Sequence, residues 1–196
     1  KYDVEHGIQA ALYAINEKSD NPLHKELAKQ FLNNLKTYSL PSLIVTNDYV
    51  VGLYNSKSKV ISLNPKHAHS DNEFDRAILH ELIHHFTVSV INAKDKTPTQ
   101  ERIINSLTAI QKLVRDKISK DPKTKEEFEQ FTKDFKTGQE LLESQVSAYY
   151  GAMDLREFVT MAMTDRAFQQ ALNDIPFTGE KTLLDRFLEL VNNILA

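Results

Sequence analysis

Apolar residues recur at helical spacing along most of the chain. Val4, Ile8, Ala11, Leu12 and Ile15 share one helical face, and so do Leu23, Leu27, Phe31 and Leu35. Asn21-Pro22 opens the second of these helices, with proline where a missing N–H does no harm. The period then changes. In SLIVTNDYVVGLYNSKSKVISLNP, residues 42 to 65, two runs rich in Val, Ile, Leu and Tyr flank the polar turn Asn55 to Lys59. That pattern predicts a hairpin or small antiparallel sheet, closed by Asn64-Pro65. Ser70 and Glu73 have capping-box spacing, so a helix begins near 71. Phe74, Ala77, Ile78, Leu82, Ile83 and Phe86 mark its apolar face.

Helical spacing resumes over residues 98 to 136. Ile103, Leu107, Ile110, Val114 and Ile118 are in step, and Phe128, Phe131 and Phe135 follow a break at Asp121-Pro122. This block is dense in lysine and glutamate, which predicts a solvated helical hairpin rather than a nucleic-acid surface. Gly138 restarts the chain, and Leu141, Leu142, Val146 and Tyr149 lead a helix into AYYGAMDLREFVTMAMTD. A last helix runs through Leu183, Leu184, Phe187, Leu188, Val191 and Leu195. With only five glycines and six prolines, helices are favoured over many-stranded sheets. The expected class is α+β: a mostly helical single domain over 1–196, with a small antiparallel sheet before the helix at 71 and a helical insertion at about 92–137.

The 196 residues are 41% hydrophobic and 26% charged, as in a soluble globular domain long enough to bury about 70% of its unfolded surface. A net charge of −3 argues against a strongly basic nucleic-acid binder and gives no pull toward acidic membranes. No apolar run is long enough to span a membrane. The opening KYDVEHG has neither an initiator methionine nor a signal peptide, as expected of a processed chain or a piece of a larger polypeptide. The compartment stays unknown. Cysteine is absent, so a transition-metal site has to use imidazole and carboxylate.

Such groups crowd into DRAILHELIHHFTV, residues 75 to 88, inside the predicted helix. His80-Glu81-Leu82-Ile83-His84 is H-E-x-x-H. Histidines four apart stand above one another on one helical face and can share a zinc ion, while the glutamate between them can take a proton from the attacking water. The bland alternative is a pair of hydrogen-bonded core histidines. Apolar Leu79, Leu82, Ile83 and Phe86 weigh against it, because two imidazoles and a carboxylate are costly to bury among them without a partner. Glu81 and His85 are also four apart, but that pairing leaves no base between two histidines. His67 and His69 precede the helix, as surface residues or as residues approaching a substrate.

Zinc needs a third protein ligand and an open position. Downstream, Glu157 lies on the predicted helix DLREFVTMAMTD. Asp154 and Glu157 also have capping-box spacing, so a helix cap is the competing role. ILHELIHHF followed by YYGAMDLREFVTMAM resembles the gluzincin metallopeptidases, which pair H-E-x-x-H with a glutamate on a second helix. It is most similar to the catalytic domains of the anthrax lethal factor type and to related toxin and phage-polyprotein domains. Their third ligand sits in a segment like Y-G-x-x-N-x-x-E-F-x-A-E-A-F, with a catalytic tyrosine at its start. Tyr150, Gly151, Glu157 and Phe158 fall at those positions. The resemblance covers the two motifs, their order and the hairpin before the first, but not residues 92 to 137.

The resemblance implies a zincin-like fold and Zn2+ held by His80, His84 and Glu157. It implies catalysis by Glu81 and Tyr150 on a protein or peptide substrate, with no nucleic-acid partner. Tyr149 is the competitor for the tyrosine's role. The sequence departs from the pattern at Met161, where the family has an acid that braces a zinc-bound histidine. Asp165, Asp75 or a backbone carbonyl are the substitutes it offers. Two other readings stay open: a weak or inactive zinc-binding interaction module on the same fold, and a helical binding protein carrying the motif by accident.

Overall fold

The computed structural model describes residues 4–33, 39–47, 50–137, 149–179 and 181–195; Leu35, Gly138, Leu141, Leu142 and Val146 lie outside the described residues. The chain divides into two compact units, Lys1–Ser89 and Val90–Ala196.

The first unit opens with helices α1 (Val4–Lys18) and α2 (Pro22–Asn33), which pack on each other. They bury Ile8, Leu12 and Ile15 from one, and Leu27, Ala28 and Phe31 from the other. The Asn21 side chain accepts the Leu23 N–H at 3.0 Å, and Pro22 follows as the first helical residue. Strands β1 (Ser42–Val45), β2 (Gly52–Asn55) and β3 (Val60–Leu63) form a sheet in the order β1-β3-β2. β2 and β3 make the predicted antiparallel hairpin, pairing Asn55 with Val60 and Gly52 with Leu63. The Asn55 side chain accepts the N–H groups of Lys57 and Ser58 at its turn.

The sheet is mixed, however, and not wholly antiparallel. The first apolar run is divided between β1 and β2, and β1 pairs parallel with β3, Ser42 opposite Val60 and Val45 opposite Leu63. Alternation of apolar residues shows which face is buried but carries nothing about the direction of the neighbour. β3, in the middle, buries Ile61 and Leu63.

A single turn of 3-10 helix, Pro65–His67, leads to α3 (Asp71–Ile91). Its start is the predicted cap, shifted on one side. Ser70 Oγ accepts the Glu73 N–H at 3.2 Å, while the Glu73 carboxylate accepts the N–H of His69, one residue earlier than in a regular box, at 2.7 Å. Ile78, Leu79, Leu82 and Ile83 are buried, and Phe86 stacks on Phe31 of α2.

The second unit holds α4 (Pro98–Lys120), α5 (Pro122–Thr137), the helical residues 149–153 (α6), α7 (Leu155–Thr164) and α8 (Arg166–Asn173). A small hairpin, β4 (Pro176–Thr178) and β5 (Lys181–Thr182), precedes α9 (Leu183–Leu195). Thr97 and Gln100 form a complete capping box before Pro98. Asp121 ends α4 and caps α5, accepting the N–H groups of Lys123 and Thr124. α4 and α5 pack together as the predicted helical hairpin, and α4 also packs against α7 and α9, burying Ile103, Leu107, Ile110 and Val114. The ring of Phe158 meets those of Phe168 and Phe187 edge to face, with centroids 5.5 and 5.9 Å apart. In α9, Leu183, Phe187, Leu190 and Val191 are buried while Leu188 is exposed. No helix among the described residues is long and apolar enough to cross a membrane.

Candidate metal centre

His80 and His84 stand one turn apart on α3. Their Nε2 atoms are 3.1 Å apart and their rings cross at 81°. Glu81 is buried, and strand β2 comes down directly onto it. A Cβ added to Gly52 would lie 3.0 Å from Glu81 Cγ, 3.4 Å from its Oε1 and 3.4 Å from Ala77 Cβ. Any side chain at residue 52 would compete with the carboxylate for space. A glycine inside a strand is a recognised sign of close backbone approach.

His85 faces elsewhere. Its Nε2 lies 2.7 Å from the Ser39 carbonyl, to which it donates, and its Nδ1 lies 3.0 Å from the Tyr54 hydroxyl. Burial lowers its pKa; the Ser39 hydrogen bond opposes that and the Lys59 charge adds to it. The neutral ring with Nε2–H suits both contacts, with Nδ1 accepting from Tyr54. Both ring nitrogens are thereby engaged, which removes the shifted Glu81/His85 pairing. His67 and His69 are exposed.

Glu157 sits in the first turn of α7. The cap of that helix is Asp154, whose Oδ1 accepts the Arg156 N–H at 2.8 Å, and whose carboxylate also takes a two-pronged contact from the Arg156 guanidinium. That guanidinium holds the Asp154 carboxyl below its ordinary pKa. Glu157 Oε2 is fully buried. His80 and His84 belong to the first unit and Glu157 to the second.

Of the two tyrosines, Tyr149 is spoken for. Its hydroxyl donates to Glu127 Oε2 at 2.8 Å and its ring packs beside Phe128 and Phe131. Burial, then the Glu127 hydrogen bond and charge, push its pKa up to about 12. Tyr150, next along α6, is half-buried. Met161 is only 6% exposed. Its Cβ would lie 3.5 Å from a Cβ added to Gly151, which would also come within 3.0 Å of the Phe168 ring. Asp165, a candidate substitute for the missing acid, caps α8 by accepting the Phe168 N–H at 2.8 Å.

No family model, curated protein or solved structure matches the chain. The fit to a metal therefore rests on the residues. Two Zn–N bonds of about 2.05 Å at a tetrahedral angle put the nitrogens roughly 3.3 Å apart, and the His80–His84 spacing of 3.1 Å is close to that. A donor set of two imidazoles and one carboxylate suits zinc and leaves a fourth position open.

Proposed function

We propose that the protein is a zinc-dependent metallopeptidase of the gluzincin type, hydrolysing peptide bonds of a protein or peptide substrate. The observation that carries this is the pairing of His80 and His84, one turn apart on α3 with their Nε2 atoms 3.1 Å apart, around a buried Glu81. Zinc held there would polarise the scissile carbonyl and lower the pKa of water toward about 7. Glu81 takes the proton of the attacking water as the new C–O bond forms, then passes it to the departing amine as the tetrahedral adduct collapses and the amide C–N bond breaks. The confinement of Glu81 against Gly52 fixes where that carboxylate can sit. Tyr150 donates its hydroxyl hydrogen to the oxyanion that develops on the carbonyl.

A second reading keeps the metal and drops the turnover: a zinc-binding interaction module on the same fold. Met161, standing where the family has a histidine-bracing acid, favours it, because outer partners of this kind hold a ligand's orientation. The deciding measurement is a peptide-library digest with zinc analysis, comparing wild type with Glu81→Gln. The peptidase reading expects equal zinc content and a turnover at least about a hundredfold lower in the variant. A zinc-loaded wild type that cleaves nothing would give the case to the interaction module.

A further inference from the structure

We infer that Gln111 and Arg115 of α4 are positioning residues for the proposed site, because they hold the corner of the chain on which Tyr150 and Glu157 are both mounted. The inference rests on the metallopeptidase reading.

Tyr150 is on α6 and Glu157 on α7, so no continuous helix fixes their separation. Between them the chain turns at Asp154, whose backbone is extended (φ −126°, ψ 136°). A helix leaves its last carbonyls without partners of its own, and the usual remedy is a left-handed residue just past the end that folds N–H groups back onto them. An extended Asp154 does not make that turn. Its carboxylate is committed forward, to α7.

α4 supplies the missing donors. The Gln111 side chain, 5% exposed, donates from Nε2 to the Gly151 carbonyl at 3.2 Å. Arg115 donates from Nε to the Ala152 carbonyl and from Nη2 to the Met153 carbonyl, the latter at 2.6 Å. Gln111 and Arg115 are four apart on one face of α4, and they serve three successive carbonyls. A planar guanidinium with two parallel N–H groups fixes direction as well as distance, which a lysine cannot do. From the other side, Gly151 is pressed against Phe168 and Met161, where an added Cβ would lie 3.0 Å from the Phe168 ring. The corner is pinned on both flanks, and the Tyr150 hydroxyl and the Glu157 carboxylate inherit that placement.

The test uses the full chain carrying Gln111→Leu, Arg115→Met or Arg115→Lys. Four quantities are read: zinc affinity by chelator competition, kcat and KM on one cleaved peptide, thermal midpoint, and amide exchange across residues 150–158 in metal-free protein. The expected result is faster exchange confined to that segment, zinc affinity or kcat reduced about tenfold or more, and KM changed little. Arg115→Lys, which can serve one carbonyl but not two in the same geometry, should fall between wild type and Arg115→Met at an unchanged thermal midpoint. Should Arg115→Met fail to fold, Arg115→Lys and Gln111→Leu decide alone. Variants that lose thermal stability yet keep wild-type kcat, zinc affinity and exchange would overturn the inference and reduce these side chains to ordinary packing. A wild type that binds no zinc would defeat the peptidase reading instead, and the exchange pattern would then decide the brace by itself.

Discussion

The Nε2 atoms of His80 and His84 meet at 3.1 Å, across one turn of a helix whose neighbouring positions Leu79, Leu82 and Ile83 are fully buried. Two imidazole nitrogens this close, lacking a cation, can satisfy only one hydrogen bond between them. A shared metal would be coordinated by both. About one zinc ion per chain is expected, and at a hundred times its Kd zinc should add about 2.7 kcal/mol to stability. His80→Ala/His84→Ala should lose both the metal and the zinc-dependent rise in thermal midpoint. Zinc retained by the double variant would rule out this site.

Gly52 and Glu81 make a second prediction. Alanine at residue 52 would place a methyl 3.0 Å from Glu81 Cγ, tighter than nine in ten real Cβ contacts. The strand or the carboxylate has to shift. Overpacking of this kind costs about 1–3 kcal/mol. A misplaced base should lower kcat at least about tenfold, since a small misplacement of a reacting group can lose a hundredfold. His80 and His84 are untouched, so zinc content should hold. Turnover at the wild-type rate in Gly52→Ala would show that Glu81 is not held by β2.

Much of this was readable in advance where local rules operate. The H-E-x-x-H spacing, the start of α3 at Ser70 and Glu73, the break at Asp121-Pro122 and the hairpin around Asn55 all follow from chemistry within a few residues of chain. Contacts between distant segments were not readable. Nothing local says that β1 runs parallel to β3, that Gly52 presses on Glu81 or that His85 is drawn to Ser39 and Tyr54. Nor do Gln111 and Arg115 stand out on α4, where their partners are backbone carbonyls with no sequence signature. The glycine in an apolar strand was the one available signal, and it marked a close approach without naming the neighbour.

The adjacent tyrosines should separate cleanly by role. Tyr150→Phe removes a hydroxyl proposed to act on the oxyanion, so kcat should fall with KM and thermal midpoint nearly unchanged. Tyr149→Phe should instead leave kcat alone and change the response to alkali. The Tyr149 pKa is raised from 10.0 to about 12, so the folded state favours the neutral phenol. Its contribution is whole below pH 10 and is lost as pH rises through about 12. Over that window wild type should lose stability relative to Tyr149→Phe, measured by denaturant melts at matched pH. If Tyr149→Phe is the variant that loses turnover, the roles are reversed.

Met161 makes the last prediction, at the position where the gluzincin pattern would place an acid. The side chain is 6% exposed and lies beside Gly151 and the Phe168 ring, in a region where a carbon added at residue 151 would already be tight. Asp165 Oδ1 is committed to capping α8. Met161→Glu would therefore put a carboxylate among apolar groups, where an uncompensated charge is destabilising by several kcal/mol or is driven to protonate. The expected outcome is a large fall in thermal midpoint, eased at low pH where the new carboxyl is neutral, with zinc affinity falling alongside. Met161→Leu is the control, since a volume-conserving apolar swap usually costs less than about 1.5 kcal/mol. Under this account the surroundings of residue 161 are built for an apolar side chain, and an acid placed there gains nothing. A Met161→Glu variant that keeps its thermal midpoint and binds zinc more tightly would show the opposite: a polar space still open toward the histidines, with methionine merely occupying it.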